Sequence, residues 1–248
     1  MDFVKMEGLG NDFIVLDGPL SPAPTQVADW CDRRRGIGAD GVLVVTAGPP
    51  VAMEYWNADG SPAEMCGNGL RCVAVYAVDR GIASPPEFEV GTPAGVRRVQ
   101  VGDDSVRVEL GPVEVDATQV SLAGYELTPV AVGNPHAVAF VNDCYAVPVE
   151  ASGPLVESDP SFPERTNVEF ATIVGPKRID LRVWERGVGE TLACGSGAAA
   201  AVAVGVDRGL IDSRVEVMLP GGRLDVEIID GVAWITGPAR IVYSGTLA

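Results

Sequence analysis

The chain has 248 residues, 47% apolar and 21% charged, which suits one large domain or two small ones around a hydrophobic core. Its 34 acidic residues against 18 basic ones leave a formal charge of −16, which repels phosphate backbones and anionic bilayers and excludes nucleic acid and membrane surfaces as expected partners. The opening MDFVKMEGLGNDF has no long apolar run, Ala193–Val206 is too short and glycine-rich to span a bilayer, and five cysteines are an odd number, so a cytoplasmic protein with free thiols is expected.

In chain order, short apolar runs bounded by glycine and proline predict strands at 12–17, 42–46 and 51–56. MCGNGLRC (65–72) then opens a helix whose residues 69–78 carry a single charge, Arg71. Strands at 97–101 and 105–110 follow, and the junction 111–130 has no flexible tract. Beyond it the strands expected are 137–142, 168–173 and 180–185, and then ACGSG (193–197) opens a second helix, uncharged over 197–206. Strands at 215–219, 224–229, 232–236 and 239–247 end the chain, the last without a counterpart and free to return to the first half. A helix with no polar face belongs inside.

The chain repeats itself. At an offset of 128, Cys66, Gly67 and Gly69 match Cys194, Gly195 and Gly197; Val78-Asp79-Arg80-Gly81 matches Val206-Asp207-Arg208-Gly209; and Trp56 matches Trp184. FEVGTPAGVRRVQV answers VEVMLPGGRLDVEI, and LGNDFIVLD (9–17) resembles VGNPHAVAFVND (132–143). The fold expected is α+β: two homologous halves, 1–116 joined by 239–248, and 117–238, each a curved and mostly antiparallel sheet around a central apolar helix, with the active site in the cleft between them.

Asn68 and Ser196 read as helix N-caps, which sets each cysteine just ahead of a helix N-terminus. There the helix dipole and unpaired amides favour anions and lower a thiol pKa from its ordinary value of about 8.5. Cys31, Cys72 and Cys144 lack this setting and read as small buried hydrophobes. Two equivalent thiols suit inversion of a stereocentre: one thiolate removes a Cα proton from one face, and the other thiol delivers a proton to the opposite face.

GLGNDF, RRGIGADG, NADGS with MCGNGLRC, GNPH, RTNVEF and ERGVGETLACGSG, in this order from residue 8 to 197, together resemble the diaminopimelate epimerase family. The resemblance implies interconversion of LL- and meso-diaminopimelate, for lysine and peptidoglycan precursors, by a homodimer needing neither pyridoxal phosphate nor metal. It puts Cys66 and Cys194 on the catalytic cysteines, and His136 and Glu185 on groups that support the proton transfers. Asn57, Asn134, Asn167 and Arg186 fall on residues holding the distal amino-acid end, and Asn11 with the amides of Gly67, Asn68, Gly195 and Ser196 on the reacting end. Some family members carry glutamine where this chain has Gly41. A related racemase of proline or hydroxyproline type is the runner-up, although such enzymes carry histidine where this chain has Asn68. A dithiol redox protein lacks its usual short Cys-x-x-Cys spacing, and one histidine argues against a zinc hydrolase. A carboxylate-binding protein without chemistry fits the helix ends alone.

Overall fold

A computed structural model describes residues 1–63 and 65–247. The chain forms two compact units, Met1–Val108 with Gly237–Ala248, and Glu109–Thr236. The fold is α+β, and all twelve expected strands and both expected helices are present.

The chain begins with strands β1 (Asp2–Gly8) and β2 (Asn11–Asp17), helix α1 (Pro24–Cys31), strands β3 (Gly41–Thr46), β4 (Val51–Asn57) and β5 (Pro62–Ala63), and helix α2 (Gly67–Asp79). Strands β6 (Glu87–Thr92), β7 (Gly95–Val101) and β8 (Val106–Pro112) follow. β2 and β3 run parallel, with Phe13 opposite Gly41, while β1–β2, β3–β4, β6–β7 and β7–β8 are antiparallel. Phe13, Ile14, Val15 and Leu16 are all fully buried, because the sheet is covered on both faces. Val27 and Cys31 of α1 pack on Ile14, Leu16, Val42 and Val44, and α2 packs against β1 to β4 and β7.

The second unit repeats this plan. Strands β9 (Glu114–Val115), β10 (Val120–Leu122), β11 (Tyr125–Ala131) and β12 (Pro135–Phe140) lead to helix α3 (Val149–Glu157) and strands β13 (Asn167–Gly175), β14 (Arg178–Glu185) and β15 (Gly189–Thr191). Helix α4 (Gly195–Asp207) precedes β16 (Arg214–Leu219), β17 (Gly222–Ile229) and β18 (Val232–Gly237). β12 and β13 run parallel, with His136 opposite Asn167, and Val168 faces Trp184 across β13–β14 as Val42 faces Trp56 across β3–β4. α3 covers one side, where Val149 and Val156 meet Phe170 and Trp184, and α4 packs on β9, β11, β12, β13 and β17. The last strand, β19 (Arg240–Thr246), pairs antiparallel with β1. No helix among the described residues is long and apolar enough to cross a membrane.

Candidate functional site

The two cysteines are themselves the helix caps, one correction to the sequence reading. α2 begins at Gly67 and α4 at Gly195, so Cys66 and Cys194 hold extended backbone at the N-cap. Each sulfur accepts the amide of the residue three places on, Gly69 N or Gly197 N, at 3.4 Å. Asn68 and Ser196 lie one residue inside the helix. An N-cap sulfur replaces the usual oxygen, and the glycines leave the helix mouth open to a ligand.

In the first unit a polar chain leads to Cys66. Asp12 pairs with Lys5 at 2.7 Å and with Arg33 at 2.7 Å, and these cations hold its carboxyl at about 2 against the desolvation of its half-buried place. Arg33 also reaches Asp40 at 2.7 Å, and Asp40 accepts the Asn11 amide at 2.7 Å. With its nitrogen committed there, Asn11 turns its oxygen to the Cys66 sulfur at 3.7 Å and to Asn68 Nδ2 at 3.2 Å. Asn68 in turn accepts from Arg71 at 2.9 Å, a wholly buried guanidinium that also donates to Pro238 O. Asn11, Cys66, Gly67 and Asn68 are therefore brought together. Asn57 serves the β4–β5 turn instead, donating to Ser61 Oγ at 3.0 Å.

Around Cys194 the charged neighbours are the carboxylates Glu185 and Glu169. Burial pushes this thiol well above its ordinary value, the carboxylates of Glu185 and Glu169 push the same way, and the Ser196 hydroxyl and Gly197 amide offset only part. The lowered thiol pKa expected from the helix N-terminus is thus overturned at Cys194, because desolvation and two carboxylates outweigh one dipole. Glu185 accepts from Thr191 Oγ1 at 2.5 Å. His136, wholly buried, bonds Glu169 Oε1 through Nδ1 at 2.7 Å and Asn134 Oδ1 through Nε2 at 2.8 Å. Asn167 donates to Pro135 O at 2.8 Å and accepts the Arg186 amide at 2.9 Å, so it shapes the loop that carries Arg186. The exposed Arg186 guanidinium donates to Glu164 O at 2.9 Å.

Sequence reasoning passed over Asp40, Arg71, Glu157 and Glu169. Glu157 accepts from Trp184 Nε1 and Gly187 N, each at 2.7 Å, and from Arg165, bracing the turn after Arg186. A lone carboxylate inside the apolar run NVEFATIV was the available signal for Glu169. Gly41 excludes a side chain outright: a Cβ there would lie 2.5 Å from Trp56 O and from Tyr55 Cε2. Among the described residues, no group of three or more His, Cys, Asp or Glu is arranged to hold a metal ion.

The sequence profile of diaminopimelate epimerase matches residues 3–115 and 128–242, one segment in each half. The chain belongs to the diaminopimelate epimerase family. The diaminopimelate epimerase of Pelotomaculum thermopropionicum is 42% identical over a 274-residue alignment spanning 99% of this chain and 98% of its own. That of Alkalilimnicola ehrlichii is 43% identical over 272 residues, with the same coverage of 99% and 98%. Among solved structures, a hydroxyproline epimerase from Agrobacterium vitis superposes with a TM-score of 0.78 over 100% of this chain and 90% of its own, at 16% identity. A PhzF-family phenazine biosynthesis protein of Bacillus anthracis gives 0.76 at 13% identity, covering 100% and 99%. These two likenesses describe the fold. Within the diaminopimelate epimerase family, membership rests on the sequence match along both halves.

Proposed function

We propose that this protein interconverts LL- and meso-2,6-diaminopimelate without a cofactor, Cys66 and Cys194 exchanging protons with opposite faces of one α-carbon. The observation that carries the reading is the cysteine-capped helix built twice, with the same sulfur-to-amide contact in each unit. In one direction a thiolate takes the Cα proton and becomes a thiol, the carbanion is held through its carboxylate, and the other thiol returns a proton and becomes a thiolate. One turnover thus moves a proton from one cysteine to the other. Burial and the neighbouring carboxylates favour the protonated form of Cys194, the form that delivers a proton.

The helix-end amides of Gly67, Asn68, Gly195 and Ser196, with Asn11, bind the reacting carboxylate and stabilise the charge that builds in the transition state. His136 and Glu185 support the proton transfers. Arg186, released from Glu164 O, grips the distal carboxylate in bidentate fashion, and Asn57, Asn134 and Asn167 complete that end. The halves 1–116 with 239–248 and 117–238 are the functional lobes. The enzyme works in the cytoplasm, in lysine and peptidoglycan-precursor synthesis, as a homodimer. Support for the dimer is β19, an outer strand that exposes Ile241, Val242 and Tyr243.

Incubation with LL-diaminopimelate and separation of stereoisomers tests the reading. Meso product is expected, unaffected by chelator, with no turnover of L-proline, trans-4-hydroxy-L-proline or L-alanine, which lack the distal carboxylate. Efficient racemisation of any of these three, with diaminopimelate untouched, would assign the protein to the proline-type enzymes instead.

A further inference from the structure

Equivalent strands in the two units differ at one buried pair. Register aligns Phe13 of β2 with His136 of β12, and Leu43 of β3 with Glu169 of β13. Both second residues press on the same glycine: a Cβ at Gly69 would meet Leu43 Cδ2 at 3.2 Å, and one at Gly197 would meet Glu169 Oε1 at 2.7 Å. All four side chains are within 1% of complete burial. The first unit therefore forms this fold with phenylalanine and leucine where the second spends an imidazole and a carboxylate.

Such a pair is costly to bury, and here Glu169 Oε2 has no hydrogen-bond partner among the described residues. Stability does not account for it. We propose that Glu169 is a positioning residue for His136: its carboxylate accepts Nδ1–H, fixing the ring and its tautomer so that Nε2, against Asn134, is the nitrogen that gains or loses a proton. This rests on the reading that His136 supports proton transfer. The ring stands 2.7 Å from Glu169 through Nδ1 and 2.8 Å from the Asn134 side-chain amide through Nε2, and with the proton on Nδ1 both bonds are kept when that amide turns its Nδ2 to Nε2, which then accepts.

The chain has one histidine, so nitrogen-15 spectra of the labelled protein report this imidazole alone. At neutral pH the wild type should hold a proton on Nδ1. Glu169→Leu installs the residue that the first unit uses; it should fold with an unchanged or higher Tm and move the proton to Nε2. Its kcat should fall roughly 10- to 100-fold with KM little changed, the loss typical when an outer carboxylate orienting a functional imidazole is removed. Glu169→Asp should keep the Nδ1 proton and recover part of kcat. If the leucine variant does not fold, Glu169→Met, of similar length and without an oxygen to accept Nδ1–H, is read in the same way. A wild-type Nδ1 without its proton, or a folded variant with wild-type kcat, would overturn the proposal. If the wild type does not epimerise diaminopimelate, the proposed function fails, while the spectra still decide whether Glu169 sets the tautomer.

Discussion

Gly69 and Gly197 hold the same place after a capping cysteine, yet they should not tolerate alanine equally. A Cβ at Gly69 meets only side-chain carbons, at 3.2 to 3.4 Å, and alanine gains about 0.5–1 kcal/mol of helix preference that offsets the crowding. At Gly197 the new carbon would lie 2.7 Å from Glu169 Oε1 and 3.3 Å from the Cys194 sulfur. Gly197→Ala should therefore cost roughly 1–3 kcal/mol in urea unfolding and most of kcat, whereas Gly69→Ala stays near wild type in stability. Equal effects at the two glycines would contradict the environments described. Asp12 gives a pH signature. Its folded value of about 2 lies below the ordinary 3.8, so its contribution is full above pH 4 and disappears as pH falls through 2. Asp12→Asn should lose about 2 kcal/mol at neutral pH, a difference from wild type that shrinks to nothing in acid. The cysteines were legible because a repeat marked them. Asp40 and Glu169 act through partners distant in sequence, Asn11 and His136, which the parallel strand pairs bring near, while Arg71 joins Asn68 of its own helix to Pro238 O near the other end of the chain.

Helices α2 and α4 were plain in the sequence, since thirteen residues almost free of charge have nowhere to go but the core. Their true starts were not, because cysteine is no usual cap and the Asn and Ser beside it are better ones in isolation. Helix α1 is only eight residues with Val27 and Cys31 buried, too short a pattern to stand out. Helix α3 contains Gly153 and Pro154, both poor helix formers, and was hidden for that reason. The glycine has a packing reason: its Cβ would fall 2.4 Å from Trp184 Cγ. Gly153→Ala should thus destabilise by about 1–3 kcal/mol despite the better helix propensity, measured as a lower urea midpoint with the slope unchanged. A gain in stability would show that α3 can lift from β14 at little cost.

At the scale of the molecule, duplication was the most legible feature, and it fixed the fold class before any strand was placed. A last strand without a counterpart was free to return to the first half, and its antiparallel pairing with β1 is what the structure adds. The homodimer proposed above carries its own prediction: Val242→Asp with Tyr243→Asp should yield a monomer in sedimentation at micromolar concentration, and an unchanged dimer would place the interface elsewhere. The central claim is that two sulfurs trade protons with one carbon, and its most direct test is turnover of LL-diaminopimelate in deuterium oxide. The wild type should release meso product carrying solvent deuterium at the inverted carbon, while Cys66→Ser and Cys194→Ser should each lose epimerisation about 100-fold or more, because a hydroxyl replaces an acid–base group matched to the reaction. Product free of deuterium, or a serine variant at either position as fast as the wild type, would contradict the account.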